Sequence, residues 1–345
     1  MVAYNNEYQP HIHVFRGIAI ILIVFAHTVP SLDWSAWPLT GKLIDAIANQ
    51  SSIFFFFIAG YLFQHLSARF AYPRYLKRKF QTVILPYLLL SIPALYIFTV
   101  LTPRTGMWSW FYTLEIWQQV ALFLLTGKHL APLWFVPTIT LFYLVAPLLL
   151  WIDRKVPQAY WGILPLLVLS TWLGRDGSLG PIDKAIFLLP IYLLGMAFSH
   201  YKQPMMSFIM RWWPVLLLVA AFSIVGYVLD WPQPPYWQMP MKASLALIMT
   251  WLLYRYHGVF RHRLDYIAEV SFGIFFVHAY FISAIKVAMV YVLYGSIYDG
   301  QGSEEIPGNL LTVMIYAFGV IACTVAVIRA AKRILGQRSR MFIGA

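Results

Sequence analysis

The chain has 345 residues, of which 61% are hydrophobic and only 11% carry a charged side chain. This composition lies far from the soluble average and predicts a membrane protein with several spans. The single cysteine, Cys323, excludes an internal disulfide framework and a cysteine-rich metal site. The net charge of +12 does not indicate nucleic-acid binding, because the basic residues form short clusters between apolar segments.

The apolar segments predict an all-α membrane protein, a bundle of about ten transmembrane helices that forms a single domain over residues 1–345. No loop is long enough to fold alone. The first span is expected to stay in place, because no basic region or cleavage site marks a signal peptide. The predicted spans are 14–30, 44–65, 80–101, 133–151, 160–173, 185–199, 212–230, 243–256, 266–293 and 310–330.

The segment 110–126 is apolar enough to be a further span or a re-entrant helix. Its three polar residues, Glu115, Gln118 and Gln119, favour an amphipathic element at the membrane surface instead.

The loop charges predict the orientation of the bundle. Of the 25 Lys and Arg residues, 17 fall on the side that holds both termini and 6 on the other side, while Arg16 and Lys286 lie within spans. The positive-inside rule therefore puts both termini in the cytoplasm. The six basic residues of the outer side are Lys42, Arg104, Lys128, Arg175, Lys184 and Lys242.

Arg16 and His27 lie inside the first apolar segment, eleven residues apart. This spacing makes about three helical turns, so both side chains leave one face, separated by about 16 Å along the axis. Ionisable side chains inside a membrane are costly and are tolerated mainly where they line a pocket or a water-filled cavity. The pair therefore predicts a polar track that begins at Arg16 near the cytoplasm and leads to His27 in the outer half.

Five short stretches, which include the Arg16–His27 pair, follow one another along the chain in a fixed order. They are the Arg-x10-His pattern of 16–27, Phe-Phe-Phe-Ile-Ala-Gly-Tyr-Leu at 55–62, the basic stretch 74–80 followed by Leu-Pro-Tyr at 85–87, Leu-Trp-Phe-Val at 133–136, and Ser-Phe-Gly-Ile-Phe-Phe-Val-His at 271–278. Together they resemble the acyltransferase-3 family. The sequence departs from the family pattern at Ala59, where relatives have a small hydroxyl residue, and at Phe272, Gly273 and Phe275 before the second histidine.

The resemblance implies an integral-membrane enzyme of about ten helices that O-acylates glycans and other acceptors with a cytoplasmic acyl-CoA. Transfer of an acyl group to a hydroxyl requires removal of the hydroxyl proton, and an imidazole suits that work. His27 is therefore the predicted general base, with a covalent acyl-His27 intermediate or a structural bond to a neighbouring helix as alternatives. Arg16 is predicted to hold the phosphates or pantetheine of acyl-CoA, with a side chain that reaches the headgroups as the alternative.

The basic residues Arg74, Lys77 and Arg78 lie on the same cytoplasmic side and are predicted to attract the CoA phosphates. Their alternative role is that of a topology anchor.

His278 is the second catalytic candidate, and Ser271, seven residues earlier on the same helix face, is a candidate acceptor contact. His278 could support His27, contact the acceptor, or only bond a backbone carbonyl.

Asp33 and Trp134 are candidate substrate contacts on the outer side. The alternatives are a solvated loop acid and an aromatic residue of the membrane interface. His11 and His13 have no metal-ligand spacing to other residues, so no metal is predicted.

The leading hypothesis is an acyl-CoA-dependent transferase in the bacterial inner membrane, with acetyl-CoA as the default donor. Its acceptor is a hydroxyl of a glycan or lipid-linked sugar on the outer side, and membrane lipids are its other partners. The main alternative is a transporter or flippase, because intramembrane Arg and His residues also mark proton-coupled transport. A non-catalytic scaffold or receptor is the third possibility.

Overall fold

The computed structural model describes residues 8–175, 180–231, 234–295 and 305–345. Within these ranges the chain is helical almost throughout, which confirms the predicted all-α class. The helices are α1 (Pro10–Thr28), α2 (Pro38–Ala48), α3 (Ser52–His65), α4 (Tyr72–Lys79), α5 (Leu85–Tyr96), α6 (Ile116–Thr126), α7 (Phe135–Leu144), α8 (Ala146–Lys155), α9 (Ile163–Leu173), α10 (Pro181–His200), α11 (Lys202–Val228), α12 (Gln238–Glu269), α13 (Ser271–Tyr294), α14 (Leu310–Leu335) and α15 (Ser339–Phe342). Two short strands, β1 (Leu32–Asp33) and β2 (Ile306–Pro307), pair in parallel.

Among the described residues, 7 helices are long and apolar enough to cross a membrane, or up to 8 if α7 and α8, which meet at 53°, count as one span. The seven are Pro10–Ser31, Pro38–His65, Tyr72–Leu101, Pro181–His200, Lys202–Val228, Ser271–Tyr294 and Leu310–Phe342. The chain is thus an integral membrane helix bundle. The total of ten spans and the cytoplasmic position of both termini stay predictions.

The chain between the predicted spans 243–256 and 266–293 is helical rather than a loop. α12 continues for 32 residues, and α13 follows it after Val270 alone. The segment 257–265 contains no proline and a single glycine, so its charged residues can continue the helix beyond the bilayer. The loss of apolar character therefore marks the end of the apolar segment and not the end of the helix.

The segment 110–126 folds into a short 3-10 turn followed by α6. α6 has 11 residues and is therefore about 16 Å long, roughly half of what a bilayer core requires. At its start, the Oε1 atom of Gln118 accepts a hydrogen bond from the backbone N–H of Glu115 at 3.0 Å. Two of the polar residues that argued against a span thus cap a helix too short to cross alone.

α1 lies inside the bundle and packs against α2, α3, α12, α13 and α14. α3 packs most closely against α10, because a Cβ atom added to Gly60 would lie 2.0 Å from the carbonyl oxygen of Tyr192. A Cβ atom on Gly195 would meet the carbonyl oxygen of Phe57 at the same 2.0 Å. Glycine at both positions therefore lets the backbones of α3 and α10 touch.

α2 and α3 form one apolar segment that is interrupted at residues 49–51. Gln50 in this break has a φ angle of 53°, a left-handed conformation that is uncommon for a residue with a side chain. Such a conformation persists only where the surroundings impose it, and it often accompanies a functional site. The break faces the carboxyl-terminal end of α1, where His27 lies.

Candidate functional site

His27 lies in the last turn of α1 and lines a cavity of about 70 Å³. The other walls come from the break between α2 and α3, from Trp134 and Phe135 at the start of α7, and from Arg175 after α9. The His27 side chain is thus partly buried beside a small cavity. A cavity is the setting in which an ionisable side chain is tolerated inside a membrane.

His278 on α13 lies beside His27, with the two ring centroids 5.5 Å apart and the ring planes tilted by 38°. Its Nδ1 donates a hydrogen bond to the carbonyl oxygen of Ile274 at 2.9 Å. The neutral ring then carries its lone pair on Nε2, and this buried atom has no hydrogen-bond partner among the described residues. The backbone bond therefore fixes the tautomer and leaves an acceptor nitrogen in the neighbourhood of His27.

A second and larger cavity, of about 460 Å³, adjoins the first. The two cavities share four lining residues, which are Asn49, Gln50, Trp134 and Arg175. A volume in this range is typical of a small-molecule site. His27 therefore lies next to a space that is large enough for a sugar.

The larger cavity is lined by four basic residues, Arg104, Lys128, Arg175 and Lys184. No Asp or Glu of the described part of the chain lines it. The guanidinium of Arg175 lies 4.6 Å from the ring centroid of Trp134, and the ammonium of Lys184 lies 5.3 Å from it. Burial lowers the pKa of Arg175 to about 10, so this side chain stays charged at neutral pH.

Sequence reasoning missed this basic cluster, although the signal was present. Four of the six basic residues assigned to the outer side line the cavity, against the trend of the positive-inside rule. The other two have different partners: Lys42 pairs with Asp230, and Lys242 donates to backbone carbonyls at the end of α2. Basic residues on the side of the membrane that holds fewer of them can therefore indicate a binding site.

Arg16 lies at the opposite end of α1 and lines neither cavity. Its Nε donates to the carbonyl oxygen of Ala268 at 3.0 Å, near the carboxyl-terminal end of α12, where a cation is favoured. Its Nη2 lies 3.4 Å from Nδ1 of His13. Arg16 is also close enough to Arg340 and Glu269 to interact electrostatically with both. Neither of these two cavities therefore contains both Arg16 and His27.

The predicted donor-binding residues Arg74, Lys77 and Arg78 lie on α4 with exposed side chains. Lys79 points the other way, with its ammonium 4.8 Å from the ring centroid of Tyr143. α4 therefore presents three cations outward.

The remaining predicted contacts lie in different places. Trp134 lines both cavities, as an acceptor contact must. Asp33 lines neither; its carboxylate accepts hydrogen bonds from the backbone and hydroxyl of Ser35, at 2.9 and 2.7 Å, which lower its pKa. Ser271 also lines neither cavity, and its buried hydroxyl has no partner among the described residues. Contacts of Asp33 and Ser271 with an acceptor stay predictions.

Within the described ranges, no group of three or more His, Cys, Asp or Glu residues is arranged to hold a metal ion.

A family model described as an acyltransferase domain matches residues 10–329 of this chain. The matched range contains every predicted site residue and both cavities. No curated protein and no solved structure matches the chain.

Proposed function

The chain belongs to the acyltransferase-3 family, and on that premise we propose that it transfers an acyl group from cytoplasmic acyl-CoA to a hydroxyl of a glycan or lipid-linked sugar on the outer side of the membrane. The single observation that supports this most is the position of His27, which lines a small cavity beside a sugar-sized one.

In the proposed reaction, His27 removes the proton of the acceptor hydroxyl while the hydroxyl oxygen attacks the thioester carbonyl carbon. The new carbon–oxygen bond forms, the carbon–sulfur bond breaks, and the proton passes from the imidazole to the CoA thiolate. The products are an ester and free CoA. The unpartnered Nε2 of His278 supports this role, because an acceptor nitrogen nearby can orient the His27 ring.

The developing negative charge on the carbonyl oxygen needs a donor or a cation nearby. Arg175 supports this step because it lines the His27 cavity and remains charged. Its Nη1 also donates to the hydroxyl oxygen of Ser52 at 3.3 Å, which holds the guanidinium against the start of α3.

Three cations lie near each other on the donor side. The side chain of Arg340 is close enough to interact electrostatically with both Arg16 and Lys79. Glu269 also interacts with Arg16, so three cations face one carboxylate in this cluster. The excess of positive charge supports binding of the CoA phosphates at the cytoplasmic end. The exposed cations of α4 would add long-range attraction.

The donor is proposed to be acetyl-CoA, since the cavity at His27 is only about 70 Å³ and a short acyl group fits it best. The membrane is proposed to be the bacterial inner membrane. Neither of the two cavities reaches Arg16, so in this proposal the pantetheine arm opens its own path from Arg16 to His27. A conformational step of this kind is common in enzymes that exclude water from the reaction.

The experiment that tests this function uses the protein in proteoliposomes, with labelled acetyl-CoA on the cytoplasmic face and a panel of sugars on the other. We expect label on a sugar together with an equal amount of free CoA thiol. Absence of thiol release with acetyl-, succinyl- and longer acyl-CoA would overturn the proposal that the protein is an acyl-CoA-dependent transferase. Solute uptake that proceeds without acyl-CoA would instead establish the transporter alternative.

A further inference from the structure

The larger cavity has a charge that transfer to a neutral sugar does not require. We propose that the acceptor is a sugar that carries a phosphate ester, bound through its phosphate by Arg104, Lys128 and Arg175 and presented through a hydroxyl to His27. This inference rests on the proposed function, whose acceptor class it narrows.

The first support is the way in which these cations are held. Arg104 donates from Nη1 to the carbonyl oxygen of His129 at 2.7 Å, and its guanidinium lies 5.3 Å from the ring centroid of Phe98. The ammonium of Lys128 lies 4.2 Å from the ring centroid of Trp108. Carbonyls and aromatic rings orient a cation without neutralising it. The side chains are thus positioned while their charge remains available to a ligand.

The second support is a comparison with Lys42, a basic residue that is assigned to the outer side and does not line the cavity. Lys42 forms an ion pair with Asp230. No Asp or Glu within the described ranges lines the cavity that holds Arg104, Lys128 and Arg175. Cations collected around one space without a lining carboxylate favour an anionic ligand, and guanidinium groups match the geometry of phosphate oxygens.

The charge also favours phosphate over carboxylate. A phosphate monoester carries about two negative charges near neutral pH, and a diphosphate carries more, whereas a sugar carboxylate carries one. A cavity with several cations gains more from the larger charge, because a partly buried pair is screened less than an exposed one. The volume of about 460 Å³ holds a sugar and its phosphate together.

The third support is Gln50, at the boundary between the two cavities. Its side chain is 7% exposed, and its Oε1 is buried with no hydrogen-bond partner among the described residues. A buried acceptor without a donor is costly, so a ligand hydroxyl that donates to it would be favoured. Gln50 lines both cavities and can thus orient a sugar hydroxyl toward His27 while the phosphate lies among the cations.

The test measures binding separately from transfer. The purified full-length protein is titrated with inorganic diphosphate, glucose 6-phosphate, glucuronate and glucose, and the midpoint of thermal unfolding is followed. The variants are Arg104→Gln/Lys128→Gln and the matched control Lys42→Gln, which removes an outer cation that does not line the cavity. We expect the two phosphates to raise the midpoint of the wild type and of Lys42→Gln, and to bind the double variant at least tenfold more weakly.

Equal binding of glucose and glucose 6-phosphate, or an equal response of the double variant and the wild type to diphosphate, would overturn the inference. Glucuronate binding as tight as that of glucose 6-phosphate would overturn the choice of phosphate. None of these results depends on acyl transfer. The acyltransferase proposal fails separately, if no acyl-CoA releases its thiol.

Discussion

The imidazoles of His27 and His278 belong to different helices, yet their ring centroids lie 5.5 Å apart. The Nδ1 of His278 is committed to the carbonyl oxygen of Ile274, so only its Nε2 is left to act on a neighbour. The pair thus combines one ring that faces a cavity with one ring that is fixed by its own helix. A base and a residue that positions it have this relationship in many enzymes.

The first prediction concerns the proposed positioning of the His27 ring by His278. We expect His278→Ala to lower kcat about tenfold, equivalent to about 1.4 kcal/mol, with little change in KM, because the base loses orientation while the substrate contacts remain. The pH profile of kcat should also shift, as a merely structural role would not require. An unchanged kcat and pH profile in a protein of wild-type stability would show that His278 only bonds its backbone carbonyl.

Substitution of Arg16 can distinguish a role in acyl-CoA binding from a role in the stability of the fold. Its bond to Ala268 predicts a loss of stability in Arg16→Gln, while its proposed role predicts a higher KM for acyl-CoA. Arg154→Gln is the matched control, because Arg154 donates to the carbonyl oxygen of Ser67 at 2.7 Å in the same manner. We expect both variants to lower the unfolding midpoint and only Arg16→Gln to raise KM severalfold. Identical effects of the two would make Arg16 a structural residue.

The three exposed cations of α4 predict a dependence on salt. Replacing Arg74, Lys77 and Arg78 by Gln should raise KM for acyl-CoA at low ionic strength and have little effect at high ionic strength, because exposed charges act through a screened field. Initial rates at several salt concentrations provide the measurement. If the variant keeps the salt dependence of the wild type, these residues serve topology and not the donor.

Gly60 tests the helix contact that holds α3 against α10. A methyl group there would overlap the carbonyl oxygen of Tyr192, so we expect Gly60→Ala to lower the free energy of unfolding by about 1–3 kcal/mol. Gly258→Ala is the matched control: Gly258 lies within α12, and a Cβ atom there meets nothing within 4 Å. The control should be neutral or slightly stabilising. Equal stability of the two variants in detergent unfolding would contradict the observed packing.

His129 predicts a dependence of stability on pH. Burial lowers its pKa to about 4, from an ordinary value of 6.5, while its bond to the carbonyl oxygen of Phe123 opposes the shift. The folded pKa lies below the unfolded one, so the stability it contributes is full above about pH 6.5 and declines as the pH falls toward 4. We expect the midpoint difference between wild type and His129→Asn to shrink from pH 7.5 to pH 5. A difference that is constant with pH would contradict this.

The membrane class and the approximate ends of most helices follow from apolar runs alone, because the bilayer imposes a minimum length on each span. The end of α12 could not be predicted in this way, because the helix continues through 257–265, a polar segment without proline. Periodicity put Arg16 and His27 on one face, but sequence alone could not show that Arg16 bonds α12 while His27 lines a cavity.

The basic cavity is the part of the site that sequence reasoning did not assemble. Arg104, Lys128 and Arg175 come from three different connections, and only the folded bundle brings them together. Gln50 belongs to no motif, and it lies in a break between two helices with a left-handed backbone conformation that the sequence does not signal. Such convergence depends on packing between distant segments, for which one sequence carries no direct signal.

The most direct test of the account is the turnover of His27→Gln in proteoliposomes with labelled acetyl-CoA and an accepted sugar. His257→Gln is the matched control, because His257 lies on α12 and hydrogen-bonds the carbonyl of Leu253 in its own helix at 3.2 Å. We predict that His27→Gln folds with wild-type stability and loses about 10²–10⁴-fold in kcat, as expected for removal of a general base, while His257→Gln keeps full turnover. A His27→Gln variant that transfers the acyl group at the wild-type rate would contradict the mechanism.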